Sequence, residues 1–381
     1  NCQNSAITTT NNINSNNNKN WANTAHHHHH HHRNQREQTL AVRVLDLSAN
    51  QIEQLRPRFL KQFCGKTLSM LANHNLIRRL PLHLFGVGYC AQLQSLSLNH
   101  NYIVDLQLDP DDDDGDDVDD DNKTLTTTVD NNNSRKASFV IQTLSLQHNL
   151  IKDLARFYRL FVRCSRLKSL HLNDNQIQWI PANLWDRTSI VTLNLANNRL
   201  TLDDDKGQSP IDRCFGIGTT LKYLDLSNNL LRTLPERIVY CDNLNELILS
   251  NNQIQSFDYA TAIGTSKAAR LISHLQRLDL DHNPLNIHVN GRKTFDWLST
   301  DSPSLSVLRL SHVNNMATSL DELNLGELNL PYLHTLDLSG NNISHIASRL
   351  LSRSRNVRQL NLAINQLREV PKHIWKYVTR L

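Results

Sequence analysis

From residue 42 onward, aliphatic and polar residues alternate in one recurring element, L-x-x-L-x-L-x-x-N-x-[LI]. Its asparagines fall at Asn50, Asn75, Asn101, Asn149, Asn175, Asn198, Asn229, Asn252, Asn283, Asn341 and Asn365. A further copy, Leu305-x-x-Leu308-x-Leu310, carries Val313 where the asparagine would stand. A pattern that returns about every two dozen residues cannot close a core within one copy, so neighbouring copies stack and share one. The spacing of Leu167, Leu170 and Leu172, or of Leu221, Leu224 and Leu226, predicts a short strand with one buried face. Laid side by side, such strands form a parallel sheet. The asparagine stands where the chain must turn, so its amide is expected to bond backbone groups of its own turn and of the next copy. Past the turn, Ile180-Pro181 and Leu234-Pro235 send the chain to the outer side. There Pro57–Phe63, Ala155–Val162 and Glu236–Tyr240 read as short helices with an apolar face. Between Asn149 and Asn252, successive asparagines are separated by as few as 23 residues (175 to 198) and as many as 31 (198 to 229). The outer side therefore mixes short helices with loops, and the regular side is the sheet.

This element identifies the chain as a member of the leucine-rich repeat superfamily, which implies an α/β solenoid. The expected form is a horseshoe of about twelve repeats, with a parallel concave sheet and short helices and loops on the convex side. The repeat domain is expected to span 39–381. Residues 1–38, rich in Asn and Thr with seven consecutive histidines (His26 to His32), are read as a disordered low-complexity segment. The chain begins at Asn1 rather than Met, and both termini are expected to continue in a longer protein.

Composition changes this picture in one place. The pattern breaks at 107–138, where ten aspartates lie between Asp109 and Asp121, ahead of Thr- and Asn-rich sequence; this reads as a disordered insertion. A calcium loop centred on Gly115 would need ligands where Pro110 stands and a glutamate where Asp121 stands, so that reading is set aside. Without those aspartates, 40 basic residues face 26 acidic ones. The arginines, such as Arg56, Arg58, Arg78, Arg79, Arg156 and Arg159, fall on outer segments without interleaved stacking aromatics. That distribution suits a hydrated surface, and nucleic acid is not the expected partner. No apolar run approaches the roughly 20 residues that cross a bilayer, so membrane insertion is not expected.

Cysteine usage bears on compartment. Cys64, Cys90, Cys164 and Cys241 each stand three positions before a strand start, at Thr67, Leu93, Leu167 and Leu244. This column suggests small buried thiols rather than paired disulfides, and hence a reducing cytoplasm, with the nucleus second and the cell exterior third. Sequons at Asn122, Asn132 and Asn342 point faintly the other way.

No Gly-rich phosphate loop, Cys-x-x-Cys pair, His-Glu-x-x-His helix or G-x-S-x-G elbow is present, so no enzyme activity, cofactor or metal is expected in this segment. His74, His100, His148, His282 and His312 all stand just before the asparagine position and read as polar turn residues. A protein partner is the remaining expectation, on the concave face, where side chains between the leucines line up in columns. The first copies supply small polar groups such as Ser95, Ser97, Thr143 and Ser145. Later copies supply His171, Asn173, Asn194, Tyr223, Asp225, Glu246, Arg277, Asp279, Asp281 and Arg309, the candidate contact residues, because Tyr and Arg serve as hot spots and charge orients approach.

Within the superfamily, Leu234-Pro-Glu-Arg-Ile-Val-Tyr-Cys-Asp-Asn-Leu244 with Glu246-Leu-Ile-Leu-Ser-Asn-Asn252 resembles the repeat region of the PH-domain leucine-rich-repeat protein phosphatases. Leu275-Gln-Arg-Leu-Asp-Leu-Asp-His-Asn283 with Lys293-Thr-Phe-Asp-Trp297 resembles it more loosely. The resemblance implies an intracellular signalling protein that presents substrates to a Ser/Thr phosphatase domain lying outside these residues. The acidic insertion departs from that family. An extracellular receptor or adhesion repeat domain is the other alternative.

Overall fold

The computed structural model describes residues 42–370 except 108–137, 202–219, 256–273, 294–303, 314–329 and several stretches of up to three residues. Twelve three-residue strands, from Val44–Asp46 to Gln359–Asn361, pair in parallel and in sequence order to form one sheet. Register is set by the central aliphatic residue: Met70 faces Leu96, Leu96 faces Leu144, and Leu144 faces Leu170. In most strands this residue is buried and its two neighbours are half-buried, which is the period-two burial read from the leucine spacing. The expected solenoid with a parallel sheet is what the chain forms.

The turn after each strand is held by the asparagine. Asn101 Nδ2 donates to the carbonyls of Leu98 and Asn99 in its own coil and of Ala72 in the coil before, at 3.0, 3.2 and 3.0 Å. Its Oδ1 accepts the Ile77 N–H at 3.1 Å. The same reach to the preceding coil recurs at Asn75, Asn175, Asn198, Asn229, Asn252 and Asn283. At Val313 no side-chain amide is present, and the Leu285 N–H bonds the Val313 carbonyl instead, at 2.8 Å. Val313 then donates its own N–H to Asn341 Oδ1 at 2.9 Å, so the ladder runs on past the gap.

One position before each ladder residue, the backbone is left-handed. Ala49, His74, His100, His148, Asp174, Asn197, Asn228, Asn251, His282, His312, Gly340 and Ile364 have φ between 51° and 68°. His, Asn and Asp accept this conformation more readily than most residues, which accounts for their recurrence here. At Gly340 the neighbouring coil adds a second demand, because a Cβ there would collide with the His312 ring.

The outer side agrees with the sequence reading at one segment and departs from it in two ways. Ala155–Phe157 forms a 3-10 turn that runs into the α-helix Tyr158–Phe161, as expected, whereas Pro57–Phe63 and Glu236–Tyr240 lie mostly outside the described residues. A second short parallel pairing, Arg79–Pro81 with Asp105–Gln107, joins adjacent coils past the turn, and Asp153 bridges Trp179 in the same manner. Cys64 and Cys90 form a disulfide, against the expectation of free thiols. Their coils are consecutive and the residues equivalent, so stacking alone brings the Cα atoms to 4.6 Å, within bridging range. Cys164 is a buried free thiol, and Cys241 is buried as well. For Cys164 the matching positions of the flanking coils are Ser138 and Arg187, which offer no partner sulfur. Residues 1–38 and most of the 107–138 insertion lie outside the described residues.

Asn283 is fully buried with three backbone acceptors, while Asn50 is exposed and donates only to Leu47 and Ser48 of its own coil. Asn283→Ala is expected to cost about 1–3 kcal/mol in denaturant unfolding, and Asn50→Ala distinctly less. Equal losses would show that the inter-coil bonds add nothing.

Candidate partner-binding face

Parallel register brings the ten candidate residues onto one face of the sheet. His171, Asn194 and Asp225 lie side by side on consecutive strands, and Asp279 and Arg309 continue the same column beyond Ile248. Tyr223, Glu246 and Arg277 form the adjacent column. Asn173 and Asp281 stand two residues past the strand column, at the turn. Asp279 is buried and the others are half-buried.

Several of these side chains already serve the fold. Asp225 Oδ1 accepts both the N–H and the hydroxyl of Ser227, at 2.9 and 2.7 Å, and Asn194 Oδ1 accepts the Ala196 N–H at 3.0 Å. These local bonds close the turn that follows the strand. The other Asp225 oxygen accepts the Tyr223 hydroxyl at 3.3 Å. Burial foremost, then the charge of Asp225 and this bond, push the Tyr223 phenol up to about 12, so it stays protonated and is a donor at neutral pH. His171 bonds Ser169 across one strand at 2.9 Å, and burial lowers its imidazole pKa, which makes it a neutral member of the face. Asn173 donates to Asp174 at 2.6 Å, while its Oδ1 is buried without a partner.

The charges concentrate in the later strands. Arg277 Nη2 lies 3.4 Å from Asp279, whose other oxygen accepts the Asp281 N–H at 3.3 Å. Asp281 accepts the Ser311 N–H at 2.6 Å. Burial pushes its carboxyl up to about 6; the Ser311 bond opposes this, and the nearby Asp279 and Asp337 add to it. Arg309 stands in register between Asp279 and Asp337. The Nε atoms of Arg277 and Arg309 are buried without a hydrogen-bond partner.

Beside them lies a feature that the sequence reading missed, a hollow of about 430 Å³ lined by Arg309, Thr335, Asp337, Gln359 and Asn361, with Leu336 and Leu360 beneath. Asp337 is opposed by burial, but hydrogen bonds from Ser339 and Asn361, together with Arg309, hold it below the usual carboxylate range. The signal was available, since these residues occupy the same two columns in the next two strands. The early strands differ in kind. There Asn73 accepts the Ser97 hydroxyl at 2.7 Å and Asn99 that of Ser145 at 2.7 Å, so their polar groups bind one another. Among the described residues no group of three or more metal-ligating side chains occurs, and no helix is long and apolar enough to cross a membrane.

Family models for Leucine Rich repeats (2 copies) match residues 219–262, and for Leucine Rich Repeat 332–353. With the ladder and the twelve-stranded sheet, this makes the chain a leucine-rich repeat protein. It is 28% identical over 151 residues to Toll-like receptor 6 of Mus musculus, covering 38% of this chain and 16% of the receptor. It is also 28% identical over 230 residues to adenylate cyclase of Schizosaccharomyces pombe, covering 59% of this chain and 12% of the cyclase. The chain therefore spans less than a fifth of either relative. A leucine-rich repeat protein of Leptospira interrogans superposes with a TM-score of 0.59 at 22% identity, covering 86% of this chain and 68% of that one, a likeness of fold.

A carboxyl raised in the folded state is protonated more readily there than in the unfolded chain, so its ionisation opposes folding as pH rises between the two pKa values. Relative to Asp281→Asn, which keeps an acceptor for Ser311, the wild type is expected to lose stability as pH rises from about 4, the unfolded value, to about 6. A wild-type-minus-variant difference that stays flat across this window in urea titrations would refute the shift.

Proposed function

We propose that this chain is a non-catalytic docking domain that holds a protein partner on the concave strands from Tyr223 to Asn361. The observation that carries the reading is two adjacent columns of half-buried charge on a hydrogen-bonded sheet beside the hollow, Glu246 in register with Arg277 in one and Arg309 in register with Asp337 in the other. Side chains fixed in this way lose little entropy when a partner binds, and alternating sign selects its register. Across both columns and the turn position, Asp225, Glu246, Asp279, Asp281 and Asp337 outnumber Arg277 and Arg309. This favours a partner surface rich in Lys and Arg and disfavours a phosphate chain.

The same domain fits two settings. The resemblance at Leu234–Asn252 supports an intracellular signalling protein in the cytoplasm, with the repeats presenting substrates to a phosphatase domain; the cyclase relative likewise carries matching repeats within a larger enzyme. The Cys64–Cys90 bridge favours a second setting, an oxidising compartment and a receptor-type repeat domain like the matched part of Toll-like receptor 6, because disulfides persist there and not in reducing cytoplasm.

Tyr223→Ala and Arg309→Ala are each expected to weaken partner capture by about tenfold or more, the scale of a hot-spot residue, while Ser95→Ala leaves it unchanged. Capture of every partner at wild-type level by both variants would remove this face from the proposal. Compartment is read by alkylating the natively expressed protein in denaturant without reductant. Cys164 is expected to label at the outset, and Cys64 and Cys90 only after reduction; labelling of Cys64 and Cys90 at the outset would leave the cytoplasmic setting standing.

A further inference from the structure

The histidines before the asparagines do more than occupy turns. His74, His100 and His148 fall on three successive coils, are exposed, and stack face to face with ring centroids 4.2 Å apart at both steps and planes inclined by 8° and 11°. Their left-handed backbone, with φ of 53°, 54° and 51°, fixes all three side chains in one direction. Two residues further on, Leu76, Tyr102 and Leu150 run parallel to the imidazole row, 38%, 50% and 37% exposed, with Val104 beside them at 43%. Nine large hydrophobic residues are exposed among the described residues, and four of them gather here, so this is a patch rather than a scatter.

We propose that this rim is a second docking surface, distinct from the concave face, and that it takes an acidic protein segment bearing aliphatic or aromatic side chains, held more tightly as the medium acidifies. Charge complementarity selects the occupant. Arg78 and Lys152 are exposed in the column that contains Val104, and the one carboxylate in that column, Glu53, stands at its far end beside Arg78. The carboxylate at the end of the row, Asp174, is already engaged by His148 at 3.4 Å and Asn173 at 2.6 Å. Asp105 and Asp153, further from the row, face Arg156 at 2.9 and 3.7 Å. Ala49, at the other end, carries no charge. Protonation can therefore only make the rim more positive. The neighbouring rings oppose ionisation of the central one: at His100 burial first, then the charges of His148 and His74, lower the pKa, with Asp174 acting the other way. A bound carboxylate relieves that repulsion, so binding draws protons onto the row, and affinity must rise as pH falls through the histidine range. Two of the three residues in the apolar row are aliphatic, which argues for side chains of a polypeptide rather than the bases of a nucleic acid.

The test is fluorescence anisotropy on the whole chain with a labelled synthetic peptide that alternates glutamate with leucine and phenylalanine. Affinity is expected to rise about tenfold or more between about pH 7.5 and about pH 5.5, since the unperturbed imidazole titrates between them. Asparagine accepts the left-handed backbone, as at Asn197 and Asn228, so the triple variant His74→Asn, His100→Asn, His148→Asn is expected to fold and to lose the pH dependence. Both proteins keep His26 to His32, so the difference between them isolates the rim. Leu76→Ser with Tyr102→Ser is expected to weaken binding at both pH values, with circular dichroism confirming the fold. The proposal is overturned by a flat profile in the wild type, by an unchanged profile in the triple variant, or by equal binding of a lysine-for-glutamate peptide or a single-stranded oligonucleotide. Binding that emerges only after deletion of 109–121 would overturn it too, by assigning the rim to the chain's own aspartates.

Discussion

A turn repeated a dozen times leaves a dozen sets of backbone donors and acceptors inside the protein, and they must be satisfied without water. The ladder asparagines solve this by bonding their own turn and the one before, so each coil is finished only when its neighbour is in place. The leucine core supplies most of the burial, but it is non-directional; the amides impose the fixed stagger between coils. From that stagger follow the strand register, the columns on the concave face and the stacking of the turn residues. At Val313 a main-chain carbonyl takes over one of these bonds, which shows that the demand belongs to the turn rather than to asparagine itself.

The sheet uses its exposed positions differently at its two ends. Early strands carry Ser and Asn that bond to each other from coil to coil, which leaves their surface polar but internally satisfied. Later strands carry charges whose geometry is held by the turns while parts of Arg277, Arg309 and Asp281 face outward. Side-chain groups that local bonds do not consume are thus concentrated in the later strands, and the leucine framework beneath is the same throughout.

The strands, the ladder and the sheet were legible in the sequence because they depend on a period, and a period is visible without knowing any contact. What was not legible depends on comparing equivalent positions between coils. Cys64 and Cys90 were read as members of a column, yet only their places on consecutive coils bring them to bonding distance. Asp225 is legible as a face residue, but the serine two places on claims one of its oxygens, a local competition that column reading ignores and that recurs at Asp337. The Arg79–Pro81 pairing with Asp105–Gln107 left no alternation long enough to detect. The pattern that places Arg309 continues through Asp337 and Asn361, but the hollow they line has no period of its own to read.

Gly340 carries a consequence of its own. Its backbone needs the left-handed conformation, and the space a side chain would occupy is filled by an imidazole from the previous coil. The identity allowed at one coil is therefore written partly by the residue one coil earlier, so this stretch is not a set of interchangeable modules. Exchanging or duplicating a single coil here, in evolution or in the laboratory, requires the exposed His312 ring to swing aside.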